Sequence, residues 1–323
     1  MKEKVLSGIL VALALTALSV NLTACSADTQ AVEYTAETSV NYESGILDVK
    51  FTPADTADGF VYVRCNSEAL NDETHRYVVS LQNADEPDSK TWSGLYYQFT
   101  LNYFNDWIRC PLPYANTNMI VTEWDTDKYD EAFIADINYS PKKVETVSIT
   151  GAGDYMQCVD NFNQKTALVY WTDGQEAQVT ELLGLADIEA ADNNEYEIEA
   201  FMTFVSCNAT NDREHTKFEY DYDKKGRNRP EDKQYDVLIH RGVLENHKGV
   251  CSDLSAVYTV ALRSQGIPCI YCEGWAEYDG NSGQHAWVQV ADENNGFSGI
   301  ADPTRGIDNV TAGNGTYILY AMK

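Results

Sequence analysis

The stretch from residue 251 to residue 302 constrains the fold most. Leu254, Val257, Tyr258, Ala261 and Leu262 fall at i, i+3, i+4, i+7 and i+8, one face of an amphipathic helix with a stripe to bury. Gly249 permits a sharp entry to that helix, and Gly266 followed by Pro268 stops it. The run from Cys269 to Cys272 reads as a strand. From His285 to Val290, Ala286, Val288 and Val290 take one face of a second strand, and His285, Trp287 and Gln289 take the other. A third strand, Phe297 to Asp302, returns after the polar turn Ala291 to Gly296.

This layout sets three reactive residue types where their chemistry needs them. Cys251 falls in the first turn of the helix, beside unpaired amides and the positive end of the helix dipole, which favours the nucleophilic thiolate. The same amides suit an oxyanion formed when sulfur attacks a carbonyl. The plainer alternative for Cys251 is a buried, inert thiol. If Val290 pairs with Phe297, His285 stands opposite Asp302, and directly opposed residues share a face with Cβ atoms about 4.5–5.5 Å apart. Asp302 would then orient the imidazole, and His285 would take up the thiol proton and later donate it to a leaving amine. A tight turn on Asn295-Gly296 competes, because it sets His285 opposite Gly306 instead. His240 and His247 fall on an expected helix and its exit, where surface polarity accounts for them. Tyr235, Trp275 and Trp287 are candidate aromatic linings of a cleft, with none assigned.

The chain opens with Lys2 and Lys4, then the apolar run Gly8 to Leu15, then Leu22-Thr23-Ala24-Cys25. The run is short of the roughly 20 residues a spanning helix needs, so residues 1–24 read as a secretory leader. Its last part resembles the lipobox of bacterial lipoproteins, which implies cleavage before Cys25, a lipid on that thiol, and a site at the outer face of the cell membrane. An ordinary signal peptide cut nearby is the alternative. The net charge of −27 disfavours nucleic acid and anionic membrane as partners, since phosphates call for basic surface.

Residues 25–44 are expected to be a polar tether, and 45–145 an all-β sandwich of immunoglobulin type. Its strands are Leu47-Val49-Phe51, Phe60 to Val63, Tyr77 to Val79, Tyr96 to Leu101 and Met119 to Val121, separated by polar clusters such as Asn83 to Asp88. Residues 146–323 form the second unit. In it, Glu195 to Val205 and Tyr235 to Leu244 read as helices, and Glu214 to Asp232 as a charged surface loop. The acidic run Glu219 to Asp223 lacks the spacing of a cation site, so no metal or other cofactor is expected. Cys269 and Cys272 have a redox or zinc spacing, but three apart on a strand they face opposite sides and are read as strand residues. Pairing among Cys65, Cys110, Cys158, Cys207, Cys269 and Cys272 is not legible.

Gly249-Val250-Cys251, Leu262 to Pro268, His285-Ala286-Trp287 and Asp302-Pro303-Thr304 together resemble the transglutaminase-like family, over about residues 195 to 310. The family often has Asn after His-Ala-Trp, where this chain has Val288. The resemblance implies an α+β, papain-like core with Cys251 as nucleophile, His285 as base and acid, and Asp302 as orienter. It also implies acyl transfer from a peptide or glutamine amide through a thioester, to water or to an amine. The expected partner is a peptide or protein substrate, with cell-wall peptides among the candidates. The competing expectation is a non-catalytic binding or scaffold protein that keeps the fold.

Overall fold

The computed structural model describes residues 30–43, 45–66, 74–86, 97–125, 141–182, 210–211, 248–249, 251–278, 281–291, 296–297, 299–302 and 316–323. The expected leader with Cys25, the helices expected near 195–205 and 235–244, the charged loop expected between them, Cys207, Tyr235, His240, His247 and most of the turn after Ala291 lie outside the described residues. Among the described residues no helix is long and apolar enough to cross a membrane.

The amino-terminal part is built of strands. One sheet has five, in the order β1 (Gln30–Thr35), β9 (Lys142–Thr150), β8 (Asn116–Asp125), β5 (His75–Asn83) and β6 (Gln98–Thr100). A second has four, in the order β2 (Val40–Tyr42), β3 (Leu47–Phe51), β4 (Phe60–Cys65) and β7 (Ile108–Pro111). A short helix, α1 (Pro53–Ala57), joins β3 to β4, capped by Thr52 and Asp55 in a reciprocal box. The expected tether needs correction, because β1 and β2 lie within it and β1 pairs in parallel with β9. β1 looks like polar linker because only Val32 and Tyr34 turn toward the core, while the residues between them are exposed. β9 also runs across the expected unit boundary at 145.

The second half is organised around α3 (Cys251–Ser264), which follows the short helix α2 (Asp173–Leu182) and the two-residue strands β10 (Thr210–Asn211) and β11 (Lys248–Gly249). Its sheet has the order β14 (Gly299–Ala301), β13 (Asn281–Val290), β12 (Cys269–Tyr278) and β15 (Thr316–Met322). Leu254, Val257, Tyr258, Ala261 and Leu262 are all buried, as the stripe requires, but Ser255, Thr259 and Arg263 on the other side are buried too. The helix is covered on both sides rather than half exposed, since Ala167, Val169, Trp171 and Val179 join it in one core with the strands of both amino-terminal sheets. Thr259 meets its burial by bonding back to the Ser255 carbonyl at 2.8 Å. The helix ends at Gly266, whose φ of +75° is the left-handed stop that glycine permits.

Arg263 fastens this end of the molecule. Its buried guanidinium donates to the carbonyls of Cys269 (2.8 Å), Gln164 (3.2 Å) and Lys323 (2.9 Å), so one side chain joins α3 to β12, β15 and the segment after β9. The same end of β15 is also held by two tyrosines. Tyr97 Oη accepts from the Met322 amide at 3.0 Å, and Tyr155 Oη donates to the Met322 carbonyl at 2.9 Å.

Strand alternation sorts the second sheet into two faces. Cys269, Tyr271, Ala286, Val288, Val290 and Ala301 lie under α3 in the main core. Ile270, Cys272 and Trp287 bury on the other side with Tyr155 and Phe162, flanked by Ile300, Tyr317 and Leu319. Cys269 and Cys272 thus occupy opposite faces, with no bridge between them.

Candidate active site

Cys251 is the first residue of α3 and half-buried. His285 lies within β13, which begins four residues earlier than the apolar string suggests. Asp302 directly follows β14 and is fully buried. A side-chain hydrogen bond joins Cys251 to His285, and His285 Nε2 lies 2.7 Å from Asp302 Oδ2. The structure therefore brings the three sequence candidates into one run, with Nδ1 left to face the thiol.

The register that achieves this is neither of the two expected. Val290 pairs with Gly299 and Val288 with Ala301, so continuing the ladder sets Trp287, not His285, opposite Asp302. His285 and Asp302 are diagonal neighbours on one face, at a separation that long side chains bridge. The correction leaves the face unchanged because the observed register differs from the expected one by two residues, one full period of the pleat.

Burial opposes a charge on His285. The hydrogen bonds to Asp302 and Cys251, and the charges of both, outweigh it and carry the imidazole from 6.5 up to about 9. The imidazolium is thereby the favoured form at neutral pH. Other thiols are treated differently. Burial pushes Cys65 up to about 12 and Cys269 up to about 11, and raises Cys110 and Cys272 further, so these four stay neutral packing groups. Cys158 is half-buried and accepts from Arg109 Nη2 at 3.2 Å.

Tyr317 belongs to this site and escaped the sequence reading. Its hydroxyl donates to Asp302 Oδ2 at 2.9 Å, the same oxygen that meets His285. Its ring lies 5.0 Å from that of Trp287, and the Trp287 ring stacks at 19° to the His285 imidazole with centroids 6.3 Å apart. The two aromatics wall off the His285–Asp302 bond on the inner face, where exclusion of water strengthens it. Space for the indole comes from Gly274, opposite His285 on β12, where a Cβ would lie 2.8 Å from Trp287 Cη2 and 2.0 Å from the Ile318 carbonyl oxygen. Tyr317 reaches the inner face because β15 carries a bulge between its pairings to Glu273 and Gly274. A signal did exist in the alternation of Thr316 to Met322, but nothing in it names Asp302 as a partner. Among the described residues, no group of three or more His, Cys, Asp or Glu side chains is gathered as a metal site.

Comparison with known proteins agrees with this reading at the level of family. Residues 189–300 match the family model described as Transglutaminase-like superfamily, a span that holds Cys251 and His285 and ends two residues before Asp302. No curated protein matches the chain. Among solved structures, one described as a TGase is 18% identical with a TM-score of 0.31, covering 45% of this chain and 35% of that one. One from Cytophaga hutchinsonii, provisionally described as a cysteine protease, is 16% identical with a TM-score of 0.27, covering 47% and 49% respectively. Red sea bream transglutaminase is 13% identical with a TM-score of 0.17, covering 76% of this chain and 48% of that one. This chain thus spans less than half the length of each of these three structures. Over residues 189–300, the chain is similar to the transglutaminase-like superfamily.

Proposed function

We propose that the protein is a thiol enzyme that acts on amide bonds by acyl transfer, with Cys251 as nucleophile, His285 as proton carrier and Asp302 as the group that holds His285 charged and oriented. The observation that carries this reading is the continuous hydrogen-bonded run Cys251–His285–Asp302 at the start of α3. With His285 favoured as imidazolium, it is placed to hold the proton of the Cys251–His285 pair while the sulfur acts as nucleophile. The sulfur attacks the amide carbonyl, forming a C–S bond and an oxyanion near the free amides of the first helical turn. As the C–N bond breaks, the His285 proton passes to the departing amine or ammonia, leaving a thioester on Cys251. Water or an amine then attacks the thioester and gives a proton to His285, and the C–S bond breaks to return the pair. Tyr317 fixes Asp302 through Oδ2, the same oxygen that meets His285.

Labelling by chloroacetamide tests the reading. It is expected to be fast, confined to Cys251, and slowed when His285→Ala is introduced. Labelling no faster than a free peptide thiol, with the fold intact, would mean a binding module instead. Ammonia or hydroxamate formation from glutamine peptides, set against cleavage of peptide bonds, separates glutamine acyl transfer from proteolysis. Of these, hydrolysis is the reading preferred, since water is always present.

The leader supports export and attachment through a lipid on Cys25. Incorporation of labelled fatty acid, lost in Cys25→Ala, is the expected result. The two amino-terminal sheets would form a sandwich that carries and braces the catalytic half, in an α+β arrangement.

A further inference from the structure

We infer that the sheet beside Cys251 carries a substrate subsite for a bulky apolar or aromatic side chain, built on Trp275 and Ile318. The inference rests on the acyl-transfer reading above and adds a substrate preference to it.

The location follows from how far α3 reaches along the sheet. The helix ends beside the start of β12, where Arg263 holds the Cys269 carbonyl, and it begins at Cys251, bonded to His285 near the middle of β13. Along the outer face of β13, Val290, Val288 and Ala286 are buried beneath it, and the next residues on that face, Gln284 and Ser282, are exposed. β12 changes in step. Cys269 and Tyr271 are buried, Glu273 is half-buried, and Trp275 is exposed. Cover therefore stops where the nucleophile sits, and the sheet continues past it on the same face.

What continues there is apolar. Trp275 is paired with Gln284 on one side and with Ile318 on the other, so the three stand in one row across the sheet. Trp275 is 37% exposed and Ile318 51%, and with Tyr320 they are the exposed large apolar side chains among the described residues. One strand pair beyond Ala286 and Glu273 is a step of two residues, about 7 Å at the usual rise. A peptide whose reacting carbonyl lies at Cys251 would place a neighbouring side chain over this row. Exposed apolar groups beside a reactive thiol, in a chain of net charge −27, select for an apolar side chain and against an acidic one.

The test uses irreversible labelling of the full chain by peptidyl chloromethyl ketones that differ only in the residue next to the warhead, either Gly, Phe or Asp. The Phe reagent is expected to label Cys251 at least tenfold faster than the Gly reagent, and the Asp reagent more slowly than either. Trp275→Ala and, separately, Ile318→Ser are expected to cut the Phe preference below threefold while chloroacetamide labelling holds. Equal rates with Phe and Gly, alongside fast chloroacetamide labelling, would overturn the subsite and leave the triad standing. Slow labelling by every reagent would overturn both. A concentration-dependent dimer that Ile318→Ser dissociates, with no Phe preference, would give this face to self-association and would also overturn the inference.

Discussion

Two buried carboxylates, Glu145 in the amino-terminal strands and Asp302 in the candidate site, show what burial does and does not say about chemistry. Both are almost without solvent contact, at 1% and 0% exposure. Glu145 Oε2 accepts from the amides of Ile46 at 2.7 Å and Leu47 at 3.1 Å, tying β9 to the start of β3, while Oε1 has no hydrogen-bond partner. Burial raises its pKa, against the pull of those amides and of the Tyr42 hydroxyl. Asp302 Oδ2 accepts from His285 and from Tyr317. The donors to Glu145 keep their protons at neutral pH, so it acts as a clamp. One donor to Asp302 is an imidazole that can give its proton away, and that difference separates a structural acid from a mechanistic one.

The comparison breaks most sharply with Asp302→Asn. Turnover is expected to fall by about 10⁴-fold with little change in the unfolding midpoint, because the imidazole loses its charged orienter while the shape is kept. Loss of stability without loss of rate would make Asp302 a clamp like Glu145. Glu145→Ala comes next. It strands two buried amides and is expected to cost about 2–3 kcal/mol in urea unfolding while thiol labelling at Cys251 keeps its rate. Tyr317→Phe keeps the ring and removes the bond to Asp302. Labelling should slow about tenfold, the equivalent of about 1.4 kcal/mol, with the melting temperature nearly unchanged. An unaltered rate would reduce Tyr317 to packing.

The smallest effects are in the pH dependence of stability, and both groups carry the same sign. His285 is raised from 6.5 to about 9 on folding, so its contribution is complete below pH 6.5 and is lost as the pH rises to 9. Glu145 is raised from 4.5, so it too favours the folded state at lower pH, with its loss beginning as the pH climbs past that value. A urea midpoint that falls in two steps is expected, the lower one erased by Glu145→Gln and the upper by His285→Gln. A midpoint that rises between pH 6.5 and 9 would contradict the His285 assignment.

The same contrast explains what the sequence made legible. Cys251, His285 and Asp302 could be picked out because each residue type stood in a local setting of its own: a helix start, an apolar strand, and a return strand. The helix stripe, its glycine stop and the two faces of β13 follow from periodicity, which is a local property. The pairing of β1 with β9 joins residues more than a hundred positions apart, and a half-exposed edge strand resembles a linker. The β13–β14 register was legible to its parity and no further, because side-chain alternation fixes the face while the turn fixes the offset. Tyr317 could not be found, since its place depends on β15 pairing with β12. Glu145 was invisible for the same reason, as nothing near it in sequence announces the amides it holds.

The bulge in β15 acts as a change of reading frame. Two consecutive residues there, Tyr320 and Ala321, stand against Glu273, so every residue before them is displaced by one step of the alternation. Were the same sequence to pair without the bulge, Tyr317 would stand opposite Glu277 on the outer face and lose Asp302, and Ile318 would turn inward opposite Ala276 and leave Trp275. Deleting Tyr320 would straighten the strand yet keep Ile318 opposite Trp275 and Tyr317 opposite Ala276, so the support of the acid and the apolar row depend on the register rather than on the Tyr320 side chain. Both features depend on one register, so they are inherited as a unit.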